Sequence, residues 1–198
     1  ANLTVTVSTP TLTSISLDPD RVVGGSPSIG TVTLSGPAPY SGATITLHSS
    51  STAAAQVPAS VMVEGGQTTA TFQVTTTPVA SNTRPTISAA YSGTNVSTRL
   101  TVTAPTMAVH TINPNTVQGG NPSVGTVTLD GPAPAGGLVV TLSSNNRAVQ
   151  VPESTTVEAG ATTATYAITT STVTSPRTVS ISARGGYITV RADITITP

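Results

Sequence analysis

The ten residues GTVTLSGPAP (30–39) return as GTVTLDGPAP (125–134), 95 positions further on and with one letter changed. The match continues on both sides. VVGGSPSIGTVTLSGPAPYSGATITLHSSS (22–51) aligns with VQGGNPSVGTVTLDGPAPAGGLVVTLSSNN (117–146), and QVPASVMVEGGQTTATFQVTT (56–76) aligns with QVPESTTVEAGATTATYAITT (150–170). PTISAAYSG is answered by TVSISARGG, and TRLTVTAP by RADITITP, so the register drifts only from 95 to 93 residues. Solenoid repeats span roughly 20–50 residues. A unit near 95 residues is long enough to be a domain, so the chain reads as two copies of one fold.

Each unit carries about seven strand signals. In the first they lie near 14–18, 29–35, 43–49, 54–63, 67–77, 84–91 and 97–103. Apolar residues alternate with threonine and serine: Val32 and Leu34, Ile45 and Leu47, Phe72 and Val74, Ile87 and Ala89, Leu100 and Val102. A period of two with one apolar face predicts half-buried strands. The second unit repeats it with Val127 and Leu129, Tyr166 and Ile168, Ile181 and Ala183, Ile194 and Ile196. At Val139 and Leu142 the spacing slips. Turns are expected at Gly24-Gly25, Gly36-Pro37 and Gly65-Gly66, and no stretch has a helical period.

Composition fits that pattern. Charged residues make up 7% of the chain, against roughly 25–35% on an ordinary soluble surface. Threonine fills the gap; its stiff β-branched side chain suits a pleated strand and its hydroxyl faces water at little cost. Seven arginines balance seven acids, lysine is absent, and the arginines are scattered. Phosphate backbones are held by clustered cations, so nucleic acid is not an expected partner. No apolar run approaches 18 residues, so membrane insertion by a helix is not expected, and no leader-like segment opens the sequence. With no cysteine, disulfides and thiolate chemistry are excluded.

These readings predict an all-β chain: two tandem immunoglobulin-like β-sandwich domains of about seven strands each, plus an extra N-terminal strand. The expected division is 1–10 for the extra strand, 11–105 for the first domain and 106–198 for the second. With one large core aromatic each, Phe72 and Tyr166, the cores must be built from Val, Ile, Leu and Ala.

The pattern GTVTL[SD]GPAP, followed by GG, VTLSS, VP and V-E-G-G-Q-T-T-A-T-F-Q-V, resembles the Ig-like repeats strung along large secreted or surface-anchored bacterial proteins. The resemblance covers both units. It implies architecture and an extracellular or cell-surface location rather than a reactive site. The antibody-type Cys…Trp…Cys core is missing, which separates this chain from vertebrate-type domains.

ANLTVTVSTP (1–10) reads like the last strand of a unit, with Leu3, Val5 and Val7 alternating with polar residues. Two expectations stand side by side. The segment is the closing strand of a preceding repeat, or it docks on the open sheet edge of another subunit by β-augmentation. The second unit has its own closing-strand signal at 192–197, so a donated strand would have to add at an edge. The connection APTMAVH (104–110) is short and free of glycine, which predicts limited swing between the domains.

Catalysis needs a base, a nucleophile or a metal held in a pocket. His48 and His110 are unrelated by repeat position (their counterparts are Ser143 and Ile15) and neither has an acid nearby in sequence. Both are expected at a surface or strand edge. No zinc-ligand spacing and no G-x-S-x-G elbow occur. Asp18 and Asp20 are the calcium candidates, but Asx-Pro-Asx is also an ordinary turn formula, repeated as Asn113-Pro-Asn115, and the turn is preferred. Glu64 and Glu158 precede glycine-containing turns, where a hairpin role is expected.

The resulting expectation is a non-enzymatic structural module of a bacterial extracellular fibre, stalk or surface layer, without cofactor, whose partners are copies of itself or neighbouring Ig-like repeats. Two alternatives are an adhesin or carbohydrate-binding module, for which Tyr40, Tyr91 and Tyr187 are the candidate stacking aromatics, and an accessory segment of a larger secreted enzyme.

Overall fold

The computed structural model describes residues 9–198; the candidate docking strand of Leu3, Val5 and Val7 lies outside the described residues. Among these the chain forms β-strands and no helix. It divides into two compact units, one running to Thr103 without Pro78–Ala80 and the other comprising Ala104–Pro198 with Pro78–Ala80.

The first unit contains β1 (Leu12–Asp18), β2 (Arg21–Val23), β3 (Ser28–Leu34), β4 (Ala43–Ser49), β5 (Ala55–Gln56), β6 (Ser60–Val63), β7 (Thr69–Thr76), β8 (Thr86–Tyr91), β9 (Thr94–Arg99) and β10 (Thr101–Thr103). One antiparallel sheet runs β1-β3-β7-β5 and the other β6-β4-β8-β9, while β10 pairs in parallel with β2. The second unit repeats this with β11 (Met107–Asn113), β12 (Thr116–Gln118), β13 (Ser123–Leu129), β14 (Leu138–Ser144), β15 (Val149–Gln150), β16 (Ser154–Val157), β17 (Thr163–Thr170), β18 (Arg177–Gly185) and β19 (Ile188–Thr197). Its sheets run β11-β13-β17-β15 and β12-β19-β18-β14-β16. Each unit is a two-sheet Ig-like sandwich.

Alternation decides which face is inside. In β3, Ser28, Gly30, Val32 and Leu34 are buried, with Thr31 and Thr33 half-buried on the opposite face. The cores are aliphatic: Ile45, Ile87 and Leu100 in one unit and Ile168, Ile181 and Ile194 in the other are fully buried. Each such side chain stabilises its sandwich by about 1.5–3 kcal/mol relative to an exposed position. On the outer faces hydroxyls stand in register across three strands, Ser16–Thr31–Thr71 in one unit and Thr111–Thr126–Thr165 in the other. Such cross-strand pairs contribute about 0.2–1 kcal/mol each.

The repeated phrase is explained by what its letters touch. Gly30 lies opposite Phe72, and Gly125 opposite Tyr166. A Cβ on Gly30 would sit 2.1 Å from Cζ of Phe72, and one on Gly125 the same distance from Cζ of Tyr166. The ring of β7 or β17 thus lies flat across the bare backbone of β3 or β13, an aromatic covering a strand glycine. The one altered letter has a conserved task. Ser35 Oγ accepts from the Thr11 N–H at 2.9 Å; Asp130 accepts from the Thr106 N–H at 2.6 Å and its hydroxyl at 2.7 Å. Both tie the start of the unit's first strand to the end of its neighbour. The Gly-Gly turn before the phrase is pinned from the side: Thr76 Oγ1 donates to Ser26 C=O and accepts from Gly25 N–H, and Thr170 does the same with Asn121 and Gly120. Gly25 and Gly120 both have φ of 96°, a conformation that favours glycine there.

Four expectations are corrected. The single strand expected over 54–63 is two, β5 and β6, in opposite sheets; Pro58 between them has no N–H to continue a ladder, and Pro152 repeats the break. The strand expected over 97–103 is interrupted at Leu100 into β9 and β10. Val139 points outward at 60% exposure, and Val140 takes the inward place with Leu142. The turns at Glu64 and Glu158 close with bonds from Gln67 and Ala161 N–H, but they join strands of opposite sheets rather than forming hairpins.

Candidate functional site

The polar residues that sequence singled out are mostly dispersed. Asp18 ends β1 and Asp20 follows two residues later; both are exposed beside the cis Asp18–Pro19 bond, as Asn113 is beside cis Asn113–Pro114. Among the described residues no three His, Asp or Glu side chains gather closely enough to hold a metal ion. His48 is exposed on β4. Tyr40, in the β3–β4 loop, and Tyr187, at the tip of the β18–β19 hairpin, are fully exposed, whereas Tyr91 is half-buried.

Crossing between sheets leaves an open notch in each unit. One is lined by Leu47, His48, Ser49, Thr52, Gln56 and Val57, and the other includes Ser143, Asn145, Asn146, Arg147, Gln150 and Glu153. The asparagines of the second notch are occupied structurally: Asn145 Oδ1 accepts from Ser180 N–H at 3.0 Å and Asn146 Oδ1 from Ala148 N–H at 2.9 Å.

His110 departs from expectation. It is buried at 6% exposure in β11, not at a surface or edge. Alternation places it inside: Met107, His110 and Ile112 form the buried face of a strand whose register shifts between Met107 and Val109. Its Nε2 lies 2.6 Å from the Tyr166 hydroxyl, and the rings are tilted by 36° with centroids 5.9 Å apart. Tyr166 reaches β11 from β17 by passing over Gly125 on β13, which lies between them. In the tautomer whose Nε2 accepts the hydroxyl hydrogen, the ring hydrogen sits on Nδ1. That atom is buried and makes no hydrogen bond of good geometry, although the Val190 backbone lies close enough to favour a proton on the ring. Burial lowers the His110 pKa from 6.5; the nearby Val190 backbone favours the protonated ring but less strongly. Burial pushes the Tyr166 pKa up to about 12. The sequence held a signal for this pair. Where the second unit changes Phe72 to Tyr166 it also changes Ile15 to His110, two polar substitutions at positions that can satisfy each other.

No family model matches the chain, and no curated protein matches it. Solved structures do. Invasin, a bacterial integrin-binding protein, aligns over 94% of this chain and 39% of its own, with 16% identity and a TM-score of 0.58. The D0-D1 domain of intimin aligns over 94% of this chain and 99% of its own, at 14% identity and a TM-score of 0.40. The adhesin InvE of Yersinia pseudotuberculosis aligns over 94% and 58%, at 16% identity and a TM-score of 0.41. The chain therefore has the tandem Ig-like β-sandwich fold seen in invasin, and it spans about two-fifths of that protein's length.

Proposed function

We propose that the chain is a non-enzymatic structural module of a bacterial extracellular or cell-surface protein, a spacing or load-bearing element made of tandem Ig-like domains. One observation carries this reading. Residues kept between the units serve folding: Gly30 and Gly125 seat aromatic rings and Thr76 and Thr170 pin turns, while the one altered letter, Ser35 or Asp130, still ties strands. Repetition has kept a scaffold. A near-neutral, hydroxyl-rich surface supports the same reading, since few charges oppose close packing of neighbouring modules. Assembly end to end, with residues 1–10 docking on a neighbouring sheet edge, belongs to this proposal. Electron microscopy of the purified chain tests it: fibres that disappear when residues 1–10 are deleted are expected, and monodisperse particles at all concentrations would reject assembly by strand docking.

A second reading, an adhesin or carbohydrate-binding module, draws on the full exposure of Tyr40 and Tyr187 at loop tips. Specific glycan-array binding lost in Tyr40→Ala or Tyr187→Ala would favour it over the structural role.

A further inference from the structure

Both units hold an aromatic ring over the repeated glycine, but only in the second is that ring half of a buried titratable pair. Ile15 and Phe72 stand where His110 and Tyr166 stand, so the chain contains its own apolar control. We propose that the His110–Tyr166 pair makes the second domain acid-sensitive, so that mild acidification loosens it while the first domain of the same chain stays closed.

The neutral pair is a matched one: the Tyr166 hydroxyl and Nε2 lie 2.6 Å apart, and a neutral ring with its hydrogen on Nδ1 accepts from the hydroxyl. Protonation turns Nε2 into a donor, so the Tyr166 hydrogen loses its acceptor and a positive charge appears at a position 6% exposed. Little in the surroundings favours that charge. From β17 the ring meets Tyr166, and from β19 the Val190 backbone. β13 carries no ionisable residue. The charged residues of β18 and β19 (Arg177, Arg184, Arg191 and Asp193) are all exposed. No carboxylate therefore faces the imidazole to hold its proton.

The sign follows from linkage. Burial sets the folded pKa below the ordinary value, so as pH falls below about 6.5 the unfolded chain takes up its proton first. The opening constant of the second domain then rises by up to about tenfold per pH unit until the folded pKa is passed. Ordinary carboxylates titrate near pH 4, so the interval from about pH 7 to 5 reports mainly on histidine. His48 of the first domain is exposed.

Hydrogen exchange resolved by peptide on the full chain tests this, with rates corrected for intrinsic pH dependence. Between pH 7.5 and 5.0, amides of β13 and β17 should open up to about tenfold more per pH unit below 6.5, and those of β3 and β7 should not change. The double variant His110→Ile/Tyr166→Phe, which rebuilds the first domain's pair, should flatten the response. A second readout needs no variant: the NMR titration midpoint of the His110 ring should lie below 6.5. Equal acid responses in the two domains, a double variant as acid-sensitive as the parent, or a His110 midpoint at or above 6.5 would each overturn the proposal.

Discussion

The Tyr166 hydroxyl lies 2.6 Å from His110 Nε2, joining β17 to β11 across β13. The bond is possible because the strand between presents Gly125, over which the ring lies. Phe72 follows the same path over Gly30 in the first domain, toward a strand that carries Ile15 in place of His110. The repeated glycine therefore fixes the course of the aromatic, and the residue at its far end decides whether the tip is polar.

Gly30→Ala should destabilise the first domain. The new Cβ would lie within 2.1 to 2.6 Å of three atoms of a ring that is itself buried in the core. Moving that ring off its seat costs about 1–3 kcal/mol, as overpacking usually does. Calorimetry should show the first domain's transition falling while the second is unmoved, and Gly125→Ala should give the reverse.

Tyr166→Phe should cost the second domain about 1–3 kcal/mol, because it leaves the buried Nε2 of His110 without a partner. Adding His110→Ile should restore most of that loss. The converse change, Phe72→Tyr, should destabilise the first domain by a similar ~1–3 kcal/mol, since Ile15 offers the new hydroxyl nothing. A double-mutant cycle measured by urea denaturation checks the coupling.

Thr76→Val keeps the shape of the side chain but removes a donor to Ser26 C=O and an acceptor from Gly25 N–H. Loss of the two should cost about 1–3 kcal/mol, with Thr170→Val matching it in the second domain. Urea midpoints of the two variants should shift alike.

Alkaline pH should act on the second domain through Tyr166. Its folded pKa of about 12 exceeds the ordinary 10, so its contribution is complete below pH 10 and is lost as pH rises toward 12. The second domain's unfolding constant should rise by up to about tenfold per pH unit across that interval, and Tyr166→Phe should abolish this share of the dependence. Denaturation of parent and variant between pH 9 and 12 makes the comparison.

Much of this architecture is visible in the letters. Val32 and Leu34, or Ile87 and Ala89, alternate with hydroxyls because one sheet face meets the core and the other water, and that period survives without tertiary information. The crossing of the chain between sheets at Val57-Pro58 does not show, because a strand signal says nothing about which neighbour it will pair with. β2 and β12, three residues each, are too short for a period to register. Val139 was obscured by the run Leu138-Val139-Val140, where every register puts an apolar residue inside. His110 reads as a surface or edge residue because a lone histidine gives no sign of the partner that satisfies it; the paired exchange of Ile15 and Phe72 for His110 and Tyr166 is the sequence clue that locates it.

In the role proposed, two separately folded, disulfide-free sandwiches in tandem carry load. Single-molecule stretching of the full chain tests it most directly. Two unfolding events are expected, each releasing roughly 300 Å, the extended length of roughly 90 residues. One event releasing roughly twice that length, or extension without any force peak, would contradict it.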